Sequence, residues 1–186
     1  MRFITFRADG AVQPGVAAGG QAIGLAGAGF PDLLSVIAGG REARAKIQAW
    51  IAAPPPGAAR DLAAVTLLAP IPRPPKLICV GLNYRDHALE AKMKLPATPT
   101  IFAKFPTAVI GPGEPIVLPR SSAEPDYEAE FAFVIGQGGR HIRAANWREH
   151  VFGYTILNDV SARDYQMATT QWTIGKSFDT FAPMGP

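Results

Sequence analysis

Apolar and polar residues change their period several times along this chain, and the changes mark its elements. Met1 to Arg7 alternates as a strand does, and Ala8-Asp9-Gly10 supplies its turn. Gln21 to Leu25 reads as a second short strand. Pro31 to Ile37 and Arg41 to Ala52 read as helices. In the second, Ala43, Ile47, Trp50 and Ile51 recur at helical spacing, while Arg44 and Lys46 take other faces. Ala53-Pro-Pro-Pro-Gly57 breaks that helix, and another proline-rich stretch follows at Pro70 to Pro75. Residues 1 to 70 are therefore expected to form a small N-terminal α/β unit. It holds no grouped acid, base or nucleophile, so a structural or interfacial role is expected.

Residues 71 to 186 read as a second, mainly β domain. Lys76 to Val80, Thr100 to Lys104 and Ile116 to Leu118 are expected strands, and Asp86 to Lys94 a short helix. Phe131 to Ile135 is a continuous apolar run stopped by Gly136, the pattern of a buried strand. Val151 to Leu157 reads as its neighbour. Ser161 to Thr169 reads as a helix whose start, Ser161-Ala-Arg-Asp164, resembles a capping box with Asp in place of Glu. That puts Asp159 at a strand-to-helix turn. The fold class expected is α+β, mainly β, with short helices.

Three carboxylates carry the strongest chemical signal. Glu128 and Glu130 lie two apart, and in a strand residues i and i+2 project to the same face. Two like charges beside an apolar surface repel and are costly to desolvate. A hard divalent cation offsets both penalties, and Asp159 would complete an oxygen-only site suited to Mg²⁺, Mn²⁺ or Ca²⁺. The same spacing also describes the wet face of an edge strand; the apolar flanks and Asp159 favour the metal.

A second group lies in Gly81-Leu-Asn-Tyr-Arg-Asp-His-Ala-Leu-Glu90. His87 and Glu90 are three apart, so on a helix the carboxylate can orient the imidazole and raise its basicity. An exposed His beside an exposed Glu has the same spacing. Lys176 follows a Gly among aromatics, where it could neutralise a substrate carboxylate or a developing oxyanion, or reach water from a strand end. Gln166 could add a polar contact, and Lys104, inside an apolar run, could pair with a buried carboxylate. His141 and His150 read as surface residues.

Composition narrows the function classes. At 186 residues and 48% hydrophobic content the chain can bury a core, and no apolar run approaches a membrane span. The +3 net charge is scattered, without the basic stripe that nucleic acid needs. Cys79 is the only cysteine, so no intrachain disulfide forms; a reducing compartment and a cytoplasmic setting are expected.

Taken together, the motifs resemble the fumarylacetoacetate hydrolase family. The matching pieces are Ile78-Cys-Val-Gly-Leu-Asn-Tyr84, His87 with Glu90, Pro99 to Lys104, Asp126-Tyr-Glu-Ala-Glu130, Gly153 to Asp164, and Gly175-Lys-Ser-Phe-Asp179. They occur in the family's order across residues 76 to 186. The resemblance implies a mixed β-sandwich roll and an Mg²⁺ or Mn²⁺ site at Glu128, Glu130 and Asp159. It implies His87 with Glu90 as the base dyad, and Lys176 as a further catalytic group. Arg163, Gln166 and Tyr84 are the implied substrate contacts. The implied chemistry is hydrolytic cleavage of a C–C bond in a 2,4-dioxo acid. Decarboxylation or tautomerisation of a 2-oxo diacid on the same site is the alternative, and an inactive, ligand-binding relative a further one. The expected partner is a small anionic oxo acid, with a homodimer when full length. Family members continue past Pro186, so a domain truncated at its C-terminal end is expected.

Overall fold

The computed structural model describes residues 1–90, 92 and 94–186; of His87 only the backbone is described. The chain begins with β1 (Arg2–Ala8), β2 (Ala11–Ala18) and β3 (Gln21–Gly24), and later adds β4 (Ala59–Asp61) and β5 (Thr66–Leu68). These form one antiparallel sheet in the order β4-β3-β2-β1-β5. Asp9 and Gly10 turn the first hairpin with φ of +49° and +80°, the paired left-handed conformation that an Asp-Gly turn adopts most easily. Between β3 and β4 run α1 (Leu33–Ala38) and α2 (Gly40–Ala52). Asp32 caps α1 by accepting from Ser35 N at 2.7 Å, satisfying an otherwise orphaned donor. Leu33, Val36, Ala43 and Ile47 pack the helices onto Val16, Leu25, Ala28 and Phe30. The helical spacing seen in the sequence thus turns the expected face inward.

The remaining elements are short pairs. β6 (Ile78–Gly81) and β7 (Thr100–Ala103) form an antiparallel pair, with α3 (Arg85–Glu90) between them in sequence. β8 (Val109–Ile110), β9 (Pro125–Asp126) and β10 (Ala129–Ile135) follow, then β11 (Val151–Asn158) and β12 (Ser161–Ala162). The chain ends with α4 (Arg163–Met167), α5 (Thr173–Lys176) and β13 (Ala182–Pro183). β10 pairs antiparallel with β11, β9 antiparallel with β12, and β8 parallel with β13. A core of Ala69, Ala108, Leu157, Val160, Ala162, Phe181, Ala182 and Met184 gathers these ends around the segment 157–162. The fold is mixed α+β, mainly sheet, with few short helices.

Four sequence expectations need correction. Phe131 to Ile135 forms a strand but not a buried one: Phe131, Phe133 and Ile135 are 60%, 54% and 54% exposed. A continuous apolar run is buried only where both faces are covered. Here Glu130, Ala132 and Val134 point to the shielded side, while Tyr154 and Ile156 extend the open one. Ile116 to Leu118 is not a strand; Val117 N donates instead to Thr180 Oγ1 at 2.8 Å. Ser161 and Ala162 form β12 rather than a helix start. Asp164 cannot close a capping box because it accepts from Ser122 Oγ and Ala123 N, at 2.7 and 2.9 Å. The expected Asp86–Lys94 helix begins at Arg85 and ends at Glu90; positions 91 and 93 lie outside the described residues.

The open face of β10 and β11 should bind an environment-sensitive hydrophobic dye. Replacing Phe131 and Ile156 together by Thr should cut the dye fluorescence while changing stability by no more than about 1 kcal/mol, as surface substitutions do. Unchanged dye binding in that variant would place the dye elsewhere.

Candidate active site

The register of β10 and β11 brings the acidic residues together. Ala129 pairs with Asn158, so Glu128 and Asp159 flank the pair just beyond its end. Asp159 N donates to Glu128 O at 2.8 Å, and Glu128 N donates to Asn158 Oδ1 at 3.1 Å. Glu130 lies one pleat further, on the same shielded side.

Cations close around them. Lys104 follows β7, where its N–H donates to Leu77 O at 3.1 Å and directs the side chain inward. Its ammonium donates to Asp159 Oδ1 at 2.6 Å and Val160 O at 3.0 Å, with the side chain wholly buried. Lys176, 1% exposed, donates to Asp159 Oδ2 at 3.1 Å and Glu128 Oε2 at 2.8 Å. It also lies 5.0 Å from the Phe102 ring centroid. Arg163 Nη1 contacts Glu128 Oε1 at 2.6 Å and Gln166 Oε1 at 2.8 Å, while its Nε and Nη2 hold Asp126 Oδ2.

Gly175 makes the position of Lys176 possible. A Cβ there would stand 2.5 Å from Gln166 N and 2.8 Å from Ala162 O. Both are backbone atoms of β12 and α4 and cannot swing aside. Only glycine lets α5 approach closely enough for the next residue to reach Asp159.

The electrostatics follow from this arrangement. Burial alone would raise the Glu128 carboxyl, but Lys176 and Arg163 together hold it below the usual range. Glu130 is pushed up by burial, eased by the Asn83 amide at 3.2 Å, and pushed up again by Glu128 and Asp159. Burial lowers the Lys104 ammonium, with Asp159 opposing. Burial, then the Asp159 charge, pushes the Cys79 thiol up to about 12, which removes it as a nucleophile at neutral pH.

Among the sequence candidates, Glu128, Asp159, Lys176, Arg163 and Gln166 meet in one network. Glu130 joins at its edge through Asn83. Tyr84 Oη accepts from Phe131 N at 3.2 Å, next to Glu130. Glu90 is exposed on α3, three residues from His87, whose side chain lies outside the described residues. Among the described residues, no three acidic, His or Cys side chains gather at metal-coordinating spacing. Glu128 and Asp159 converge instead on the Lys176 ammonium. Sequence reasoning missed Asn83 and the anchoring of Arg163 by Asp126, because both are long-range contacts. Lys104 had a signal, a lone cation within an apolar run.

The matched family is the fumarylacetoacetate hydrolase C-terminal domain, over residues 76–186. The chain belongs to the fumarylacetoacetate hydrolase family. A mitochondrial oxaloacetate tautomerase from Xenopus laevis is 52% identical over 124 residues, covering 66% of this chain and 39% of that protein. A fumarylacetoacetate hydrolase from Exiguobacterium antarcticum shares the fold with a TM-score of 0.80 and 37% identity, covering 100% of this chain and 65% of that one. A 2-hydroxyhepta-2,4-diene-1,7-dioate isomerase from Mycobacterium marinum gives a TM-score of 0.74 at 35% identity, with 100% and 64% covered. This chain spans about two fifths of the tautomerase it matches. Tautomerase and isomerase relatives favour the alternative reading of the sequence over C–C hydrolysis. No helix among the described residues is long and apolar enough to cross a membrane.

The donor set fits a divalent cation in kind. Four carboxylates, Asp126, Glu128, Glu130 and Asp159, face three cations, Lys104, Arg163 and Lys176. Glu130 is the carboxylate left without an ion pair among the described residues. Hard oxygen donors with surplus negative charge suit Mg²⁺ or Mn²⁺.

Two outcomes check this electrostatic account. Lys104→Met strips one of two cations from a buried carboxylate and should lower unfolding free energy by about 3 kcal/mol in denaturant titration. A loss below about 1 kcal/mol would mean that Lys176 alone suffices. Alkylation of Cys79 at pH 8 should run roughly a thousandfold slower than for a free thiol, because almost none is thiolate. A rate like that of free cysteine would contradict its shielding.

Proposed function

We propose that this chain carries the site of a metal-dependent tautomerase that interconverts the keto and enol forms of a small 2-oxo diacid such as oxaloacetate. The observation that carries the reading is the 52% identity to an oxaloacetate tautomerase, in a chain whose site gathers acids and cations. Tautomerisation suits that inventory. One C3–H bond breaks, one O–H bond forms at the C2 oxygen, and neither water nor a covalent intermediate enters the balance.

Each residue then has a defined task. In this reading His87, with Glu90 as its partner in the motif, takes the C3 proton and delivers it to the C2 oxygen as the enol forms. Lys176 supplies positive charge to the substrate's carboxylate or to the oxygen on which charge develops. Arg163 and Lys104 hold Glu128 and Asp159 in place, and Gln166 fixes Arg163 in turn. Tyr84 lies at the substrate edge of Glu130. Mg²⁺ or Mn²⁺, held by Glu128, Glu130 and Asp159, would supply Lewis-acid stabilisation of the enolate charge. We assign residues 1–70 to a structural unit and 71–186 to the catalytic one, with a homodimer as the working assembly.

Oxaloacetate presented as its enol should lose enol absorbance faster with this chain and Mg²⁺ than with Mg²⁺ alone. His87→Ala should slow that acceleration by about 10²–10⁴-fold. Cleavage of an acylpyruvate with no effect on the enol would sink the tautomerase reading in favour of hydrolysis.

A further inference from the structure

Two lysines reach Asp159, and they are anchored differently. Lys104 takes Oδ1 and is fixed a second time by the backbone oxygen of Val160. Lys176 has no such backbone anchor: its acceptors among the described residues are Asp159 Oδ2 and Glu128 Oε2. Its ammonium therefore stands between two carboxylates assigned as metal ligands. A buried ammonium in that position neutralises charge that would otherwise be costly to desolvate. It also occupies oxygens that a divalent cation would use. The Phe102 ring, 5.0 Å from Nζ, offers a moving ammonium an aromatic face.

We propose that Lys176 is a built-in counter-ion that yields Glu128 Oε2 and Asp159 Oδ2 to a divalent cation, while Lys104 stays and keeps Asp159 in place. This rests on the metal-dependent reading above and adds a coupling to it. Without metal, Lys176 neutralises Glu128 Oε2 and Asp159 Oδ2, the oxygens opposite those held by Arg163 and Lys104. With metal, the same ammonium is freed to meet the anionic substrate. Metal binding and availability of the substrate-binding cation are then one event, and they are linked energetically in both directions.

The test reads metal affinity and lysine accessibility, not turnover. Lys176→Met should bind Mn²⁺ at least about fivefold more tightly than the unaltered chain, the low end of usual coupling between linked sites, measured by the loss of free Mn²⁺ resonance signal. The same variant should be less stable without metal and regain more thermal stability from Mn²⁺. In the unaltered chain, which needs no variant to fold, saturating Mg²⁺ should speed acetylation of Lys176 by an amine-reactive ester. Lys104 serves as the internal reference and should stay protected. Weaker or equal Mn²⁺ affinity in Lys176→Met, or equal or greater protection of Lys176 with Mg²⁺, would show a permanent partner of the ligands and overturn the proposal. Failure of the unaltered chain to bind Mn²⁺ would overturn the metal reading itself, and this inference with it.

Discussion

Asp159, 2% exposed and held between two buried ammonium groups, is the constraint on which the second half of the molecule turns. A carboxylate or an ammonium left alone in such surroundings is strongly destabilising, so each partner must arrive in place for the others to be tolerated. Lys104 arrives from the end of β7, Asp159 from the end of β11, and Lys176 from α5. Three segments far apart in sequence are thus fixed relative to one another by charge rather than by apolar area. The apolar core around Leu157, Val160 and Phe181 surrounds this point but could be satisfied by many packings. Two short salt bridges to opposite oxygens of one carboxylate accept few.

The same constraint shapes the chemistry. Asp159 and Glu128 are both ion-paired, whereas Glu130 has, among the described residues, an amide donor from Asn83 and no ion pair. The cluster is therefore balanced on one side and short of positive charge on the other. That imbalance, set by which residues the register of β10 and β11 presents, is what a hard cation would correct. Arg163 extends the network outward: its fork is spent on Asp126, Glu128 and Gln166 before any substrate arrives. Gly175 belongs to the same design, since α5 could not approach β12 with a side chain there.

Much of this was legible in the sequence, and the misses share a cause. The N-terminal helices were readable because Ala43, Ile47 and their neighbours bury one face at a local period. The acidic motif and Lys176 were readable because charge beside apolar residues demands a partner. The partner's identity was not readable. That Lys104 meets Asp159, or that Asn83 meets Glu130, depends on contacts 55 and 47 residues apart. Phe131 to Ile135 misled for the complementary reason: an apolar run records that a strand suits burial, not that both its faces are covered. Ser161 misled because its hydroxyl bonds the carbonyl of Asp159 rather than capping a helix.

The central claim is the proposed one, that the carboxylates around Asp159 take up a divalent cation. The most direct measurement is anomalous diffraction from a crystal of this chain grown with Mn²⁺. The account predicts one strong peak within coordination distance of carboxylate oxygens from Glu128, Glu130 and Asp159, with Lys104 still bonded to Asp159. Ordered protein with no peak there, or a peak that leaves Glu130 and Asp159 untouched, would contradict it.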